Sequence, residues 1–226
     1  MIKVLDRAFY RINMIKRSVE QFIKKNIVKI KQNNHKYKNY KEYVSHQEEK
    51  TKNPNKIKLW LNDEWEIKYD GFLHIFKRNK IYLKGCTNAI CLGARTGQEV
   101  KALLDLGINA IGIDLVPFPP YTLEGDVHGL NYDNNSFNFV FTNIIDHSLY
   151  PRKMCKEIER VLSENGIGII HIQLGDDLDD YTETKIYNEL ELINYFSKSK
   201  VLKSNPIANL HDSMNWEIII KKNSLY

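Results

Sequence analysis

The stretch from Ala89 to Val100, reading AICLGARTGQEV, constrains this chain more than any other. An apolar run stops at Gly93, a second glycine follows at Gly97, and Val100, Leu103 and Leu104 then mark one side of a helix. Such spacing predicts a strand, a tight turn and a helix. In a parallel sheet the turn lets backbone approach a ligand, and the helix start offers unpaired N–H groups at the positive end of the helix dipole. Two glycines beside a strand are also an ordinary structural turn, so the flanking sequence has to decide.

From Gly97 the helix is expected to run to Leu106 and stop at Gly107, and a second strand, Ala110–Ile113, ends in Asp114. A carboxylate at that strand tip lies beside the first turn and can accept both hydroxyls of a ribose; the separation from Gly93 suits that contact. The other use of such an Asp, capping a helix, is opposed by Pro117, Pro119 and Pro120, which bar a helix from following at once. Thr122–Val127 comes next, and then Phe137–Asn143, a nearly continuous apolar strand suited to the centre of a sheet. A helix begins at Tyr150-Pro151 with Met154, Ile158, Val161 and Leu162 on one face; Asn165-Gly166 turns into the strand Ile167–Ile172. A helix over Lys185–Phe196 and strands at Lys200–Leu202 and Trp216–Ile220 close the pattern. Between Leu59 and Gly85 the dense aromatic and aliphatic residues predict one or two helices over the sheet. Trp60, Trp65 and Tyr69 are read there as core or lid residues, with substrate contact as the other use.

Charge divides the chain. Met1–Lys58 carries 16 Lys and Arg against 5 Asp and Glu, net +11, whereas the remainder is net −6, leaving +5 for the whole. The expected organisation is a basic helical extension and linker over residues 1–58 and an α/β body over 59–226. Leu5, Ala8, Ile12, Ile15, Val19 and Phe22 fall at helical spacing before about Gln32. That stripe can pack on the body or on a second copy in a homo-oligomer; its basic face can instead meet RNA phosphates or an anionic membrane. Asn33–Lys58 reads as a solvated linker or weak helix. No apolar run of about 18 residues exists to span a bilayer. Three cysteines, an odd number without metal-ligand spacing, imply a reducing compartment, so a cytoplasmic protein without a metal is expected.

Taken in order, these pieces resemble a class I S-adenosylmethionine-dependent methyltransferase of the type 11 kind. The resemblance rests on Ala89–Gly97, Ile113-Asp114, Gly125-Asp126, Ser136–Asn143 and Glu157–Gly166. It implies a Rossmann-like α/β fold with a seven-stranded sheet in the order 3-2-1-4-5-7-6, whose last strand is antiparallel and formed by Trp216–Ile220. S-adenosylmethionine would be held by Gly93, Ala94, Arg95, Gly97, Asp114, Leu115, Asp126, Val127 and Asn143. A methyl acceptor would sit beyond the fourth and fifth strands. There His147 would act as base with Asp146 holding its ring; the two could also cap the helix near Pro151 or simply line the pocket. The acidic run Asp176, Asp177, Asp179, Asp180 and Glu183 favours a small molecule, sugar or protein side chain over RNA as acceptor. Three residues depart from the family pattern: Cys91 for an acid, Arg95 for a glycine and Asn138 for an aspartate. They keep open a catalytically inactive, methyltransferase-like scaffold protein acting through its basic arm. An NAD-dependent oxidoreductase fits less well, since the loop lacks the three-glycine fingerprint.

Overall fold

The computed structural model describes residues 36–175, 181–208 and 214–224. The amphipathic helix expected before Gln32 and the acidic residues Asp176, Asp177, Asp179 and Asp180 lie outside them. Two compact units are present, one ending at Tyr43 and one running from Val44 to Tyr226. In the first, Tyr37 and Tyr40 place their rings 5.7 Å and 5.5 Å from that of Tyr43.

Helix α1 spans Tyr40–Thr51 and α2 spans Pro54–Lys58. The second starts where it does because the Asn53 side chain accepts from the N–H groups of Asn55 and Lys56, and Pro54 lacks the N–H a first helical position cannot use. A π turn at Leu59–Asp63 leads into α3, Trp65–Arg78, and the short α4, Lys80–Leu83. The stretch read from sequence as a linker or weak helix is therefore helical from Tyr40. The charge balance changes at Leu59, whereas the compact unit begins at Val44.

The body is a seven-stranded sheet of β1 (Asn88–Leu92), β2 (Asn109–Asp114), β3 (Thr122–Glu124), β4 (Phe137–Thr142), β5 (Leu162–Ile172), β6 (Ser199–Pro206) and β7 (Trp216–Lys222). Its order is β3-β2-β1-β4-β5-β7-β6, with β7 antiparallel to both neighbours, as the resemblance implies. Helix α5 (Gln98–Asp105) joins β1 to β2, and α6 (Pro151–Val161) joins β4 to β5. Side chains alternate across the central strands with a period of two. Ile90, Val140, Ile170 and Ile218 enter the layer beneath α6, with Met154, Ile158 and Val161 of that helix. Cys91, Phe139, Phe141, Ile169 and Ile219 enter the opposite layer, with Phe72, Ile75 and Phe76 of α3. Phe76 meets Phe141 edge to face at 5.2 Å, and Phe72 meets Phe141 at 5.6 Å. Full burial of one such ring stabilises the fold by about 1.5–3 kcal/mol.

The expected helix over Lys185–Phe196 is cut to α7, Glu189–Ile193. Asn188 is extended, and its side chain accepts from Glu191 N at 3.0 Å, which fixes the helix start there. The preceding residues are engaged elsewhere: Glu183 N and Thr184 N both donate to Asp146 O, and Gly175 N donates to Ile186 O. Strands β5 and β6 exceed their expected lengths. The first begins directly after α6, by pairing Leu162 with Phe137, and Asn165 takes a φ of 61° within its span.

Candidate cofactor and acceptor site

Parallel pairing brings Leu92, Asp114 and Glu124, the last residues of β1, β2 and β3, to one edge of the sheet, with Thr142 of β4 beside Leu92. The residues that follow these ends are those the sequence singles out. Gly93 and Gly97 have φ of 74° and 86°, in the left-handed region glycine tolerates. Packing excludes any larger residue as well: a Cβ on Gly93 would stand 2.4 Å from Ile144, and one on Gly97 would stand 2.4 Å from Tyr121. Gly93 N and Ala94 N both donate to Ile113 O, so the loop is fastened to β2.

Asp114 sits against this loop. Its Oδ2 accepts from Arg95 N at 2.9 Å and its Oδ1 from Val116 N at 3.0 Å. No helix follows, so it caps a turn of the Pro-rich segment and not a helix. Burial raises its carboxyl above the ordinary value, against the pull of the Val116 N–H and of Arg95. The Leu115 N–H also pulls on the carboxylate, and since an ionised carboxylate has about four acceptor positions, acceptor capacity remains for a hydroxyl. Leu115 is half-buried beside it. Asp126 and the buried Val127 follow β3, and half-buried Asn143 follows β4. Asp126 Oδ1 accepts from His128 N at 2.8 Å and lies 3.0 Å from His128 Nδ1. The other ring nitrogen, Nε2, is 2.6 Å from Ser148 Oγ and accepts from Tyr150 N at 3.3 Å. Since Nε2 accepts, the proton belongs on Nδ1, facing Asp126. The buried His128 thus links the end of β3 to the segment beyond β4, a role its sequence context does not announce.

The three departures from the family pattern each find an occupation. Cys91 is fully buried in the layer under α3, and burial pushes its thiol well up. Asn138 Oδ1 accepts from Thr87 N and Asn88 N, both at 3.0 Å, so it retains the acceptor that pins the start of β1. Arg95 carries a φ of 43° and sends its side chain out of the loop: the guanidinium carbon is 4.1 Å from the centre of the Trp60 ring and 5.1 Å from that of Tyr181. Gln98 Nε2 donates to Trp60 O at 3.2 Å, holding the same tryptophan over the start of α5.

On the acceptor side, Ile145–His147 form one 3-10 turn, and Tyr150 begins α6 without a side-chain cap. Asp146 and His147 therefore do not cap α6. Asp146 Oδ2 is 3.9 Å from His147 Nε2, within ion-pair range but beyond a hydrogen bond. The ring also lies against Tyr181, at 5.8 Å and 30°. Lys56 reaches the Tyr181 hydroxyl at 3.0 Å, and Lys50 lies 5.4 Å from the ring centre. Glu183, grouped from sequence with the acidic run, turns inward: it accepts from Gln47 Nε2 at 2.7 Å and lies 3.5 Å from Lys50 Nζ. Among the described residues, the mouth of the site thus carries Lys50, Lys56 and Arg95 around one tyrosine. Tyr181 is a residue of this site that sequence reasoning did not name, whereas Trp60 was read as a core or lid residue with substrate contact as its other use.

This strand order with one antiparallel strand inserted next to the edge is the class I methyltransferase fold. The family described as Methyltransferase domain matches residues 90–170, from β1 into β5. No curated protein sequence matches significantly. Among solved structures, the 1,6-didemethyltoxoflavin-N1-methyltransferase of Burkholderia thailandensis, with S-adenosylhomocysteine bound, aligns with a TM-score of 0.61 at 13% identity, over 80% of this chain and 88% of that one. A chain of the Haloferax volcanii complex of the Trm112 methyltransferase activator aligns at 0.54 and 16% identity, over 73% and 97%. The [4+2]-cyclase SpnF aligns at 0.51 and 11%, over 65% and 80%. One fold thus serves more than one reaction, and the site has to carry the functional argument.

Proposed function

We propose that this protein transfers a methyl group from S-adenosylmethionine to an acceptor placed beyond β4 and β5. The observation that carries the reading is Asp114: a half-buried carboxylate at the tip of β2, held by backbone N–H groups beside a left-handed glycine loop, with acceptor capacity left for a ribose hydroxyl. Gly93, Ala94, Arg95 and Gly97 would form the floor of the cofactor site, Leu115 and Val127 its apolar walls, and Asp126 and Asn143 its polar ends. When bound, the cofactor supplies an electrophilic methyl on a sulfonium sulfur. The protein's part is chiefly to align an acceptor atom with that methyl. His147, on the turn after β4, takes the proton where the acceptor is a hydroxyl, with Tyr181 against its ring and Asp146 within ion-pair range. The acceptor is a small molecule, sugar or protein side chain in this reading; the described residues at the mouth, Lys50, Lys56 and Arg95, are cationic and Glu183 turns inward, so the choice against RNA is left to the acceptor screen.

Calorimetric titration with S-adenosylhomocysteine tests this directly. Binding in the micromolar range is expected, and absence of heat at millimolar ligand sinks the proposal. Asp114→Ala should weaken binding by about 1–3 kcal/mol, the cost of unpaired polar partners, with the melting curve of the free protein confirming that the variant folds. Labelled cofactor incubated with fractionated small-molecule, sugar, protein and RNA pools then identifies the acceptor.

A further inference from the structure

Arg95 is a non-glycine residue in the left-handed region, at the turn where the backbone favours glycine. A residue kept in such a conformation is held there by its surroundings, and here all three of its parts are engaged. Its N–H donates to Asp114 Oδ2 at 2.9 Å, its carbonyl accepts from Thr122 Oγ1 at 3.1 Å, and its guanidinium lies over Trp60 and against Tyr181. Tyr181 in turn supports His147. A continuous set of contacts therefore runs from Asp114, through Arg95 and the ring of Tyr181, to the residue proposed as base.

We propose that Arg95 is a positioning residue that couples the cofactor loop to the acceptor side of the site, acting through Tyr181 on His147 and closing with Trp60 over the bound cofactor. The inference rests on the cofactor reading above. The flat guanidinium is suited to lie on an indole and a phenol at once; an ammonium is a compact, strongly hydrated charge that does not stack. A ligand that orders the loop around Asp114 would therefore also fix Tyr181 and His147, while loss of the stack would leave both halves intact but independent.

The test uses the full chain with Arg95→Gly, Arg95→Lys, Tyr181→Leu and the Arg95→Gly/Tyr181→Leu double variant. Glycine relieves the left-handed strain, so the Arg95→Gly protein should melt no lower than the parent in the absence of ligand. S-adenosylhomocysteine should leave Arg95→Gly and Arg95→Lys about tenfold faster than the parent in a chase experiment, and the double variant should be no faster than either single one. The nuclear magnetic resonance signal of the His147 ring should shift on ligand addition in the parent and stay unmoved in Arg95→Gly, a response that mere structural support of the loop does not produce. Dissociation within twofold of the parent, or an equal His147 response in Arg95→Gly, overturns the inference and leaves the cofactor reading standing. Failure of the parent itself to bind removes both.

Discussion

Two buried carboxylates in this protein, Glu217 on β7 and Glu99 in the first turn of α5, respond to burial in opposite ways. Glu217 is fully covered, yet it is surrounded by donors: His171 Nε2 at 2.9 Å, Arg78 and Asn79 both at 2.8 Å, and Lys203 at 3.0 Å. Burial alone would raise its carboxyl, but the bonds from His171, Lys203 and Arg78 outweigh it and hold the group well below the usual carboxylate range. Glu99 is almost as covered, at 4% exposure, and burial pushes it up to about 8; Asp114 adds to the rise, and its own N–H, Arg95 and Lys68 oppose it. The difference teaches that coverage does not set the charge of a group; the donors that come with the coverage do. It also assigns roles. Glu217 is a structural anion between β5, β6 and the end of α3, whereas Glu99 sits behind the glycine loop and titrates near 8.

Removing the anion should have the largest effect. Glu217→Ala strands His171, Arg78 and Lys203 around an empty site, and urea unfolding should show a loss of about 3–5 kcal/mol. Next comes Glu99→Gln, which keeps the shape and removes the ionisation. Since the folded carboxyl titrates near 8 and the ordinary value is 4.5, the unfolded chain loses its proton first as pH rises; parent stability should fall between about pH 4.5 and 8. Glu99→Gln should flatten that fall and be more stable at pH 8 by on the order of 2 kcal/mol, measured by urea unfolding across pH. Glu217 predicts the reverse slope: its stabilisation is present above its ordinary value of 4.5 and is lost as pH falls below it, so Glu217→Ala should approach the parent only in acid. A third carboxylate marks the small end. Asp105 is lowered mainly by its hydrogen bond from Lys101, with Tyr69 adding a second, but it stands on the surface. Lys101→Ala should leave the melting curve within error, and any shift should vanish in 1 M salt.

Much of this architecture was legible from residue patterns. The continuous apolar runs of β1, β4 and β5 and the glycine spacing around Arg95 depend only on neighbours in sequence, so a strand, turn and helix could be read there directly. The truncation of α7 could not, because it depends on Glu183 and Thr184 bonding to Asp146, far away in the chain. Asp114 was legible as a strand-tip carboxylate because its position there defines its neighbours. Arg95 was legible as a departure from the family pattern inside a loop expected to hold the cofactor. What its side chain does depends on Trp60, which arrives from a segment whose composition announced a core, and on Tyr181, beside a run read only for its charge. His128 was opaque for the same reason: its partners, Asp126 and Ser148, come from both sides of β4.

The order of the sheet has one more effect. Its rims are β3 and β6, and each is a poor template for a further strand. The first has three residues; the second offers exposed Val201 and Leu202 but flanks them with Lys200 and Lys203 and ends in Pro206. Short length, repelling lysines and a missing amide all discourage edge-to-edge stacking. The inner strands are rich in isoleucine and phenylalanine, and these guarded rims leave them shielded against joining a fibril.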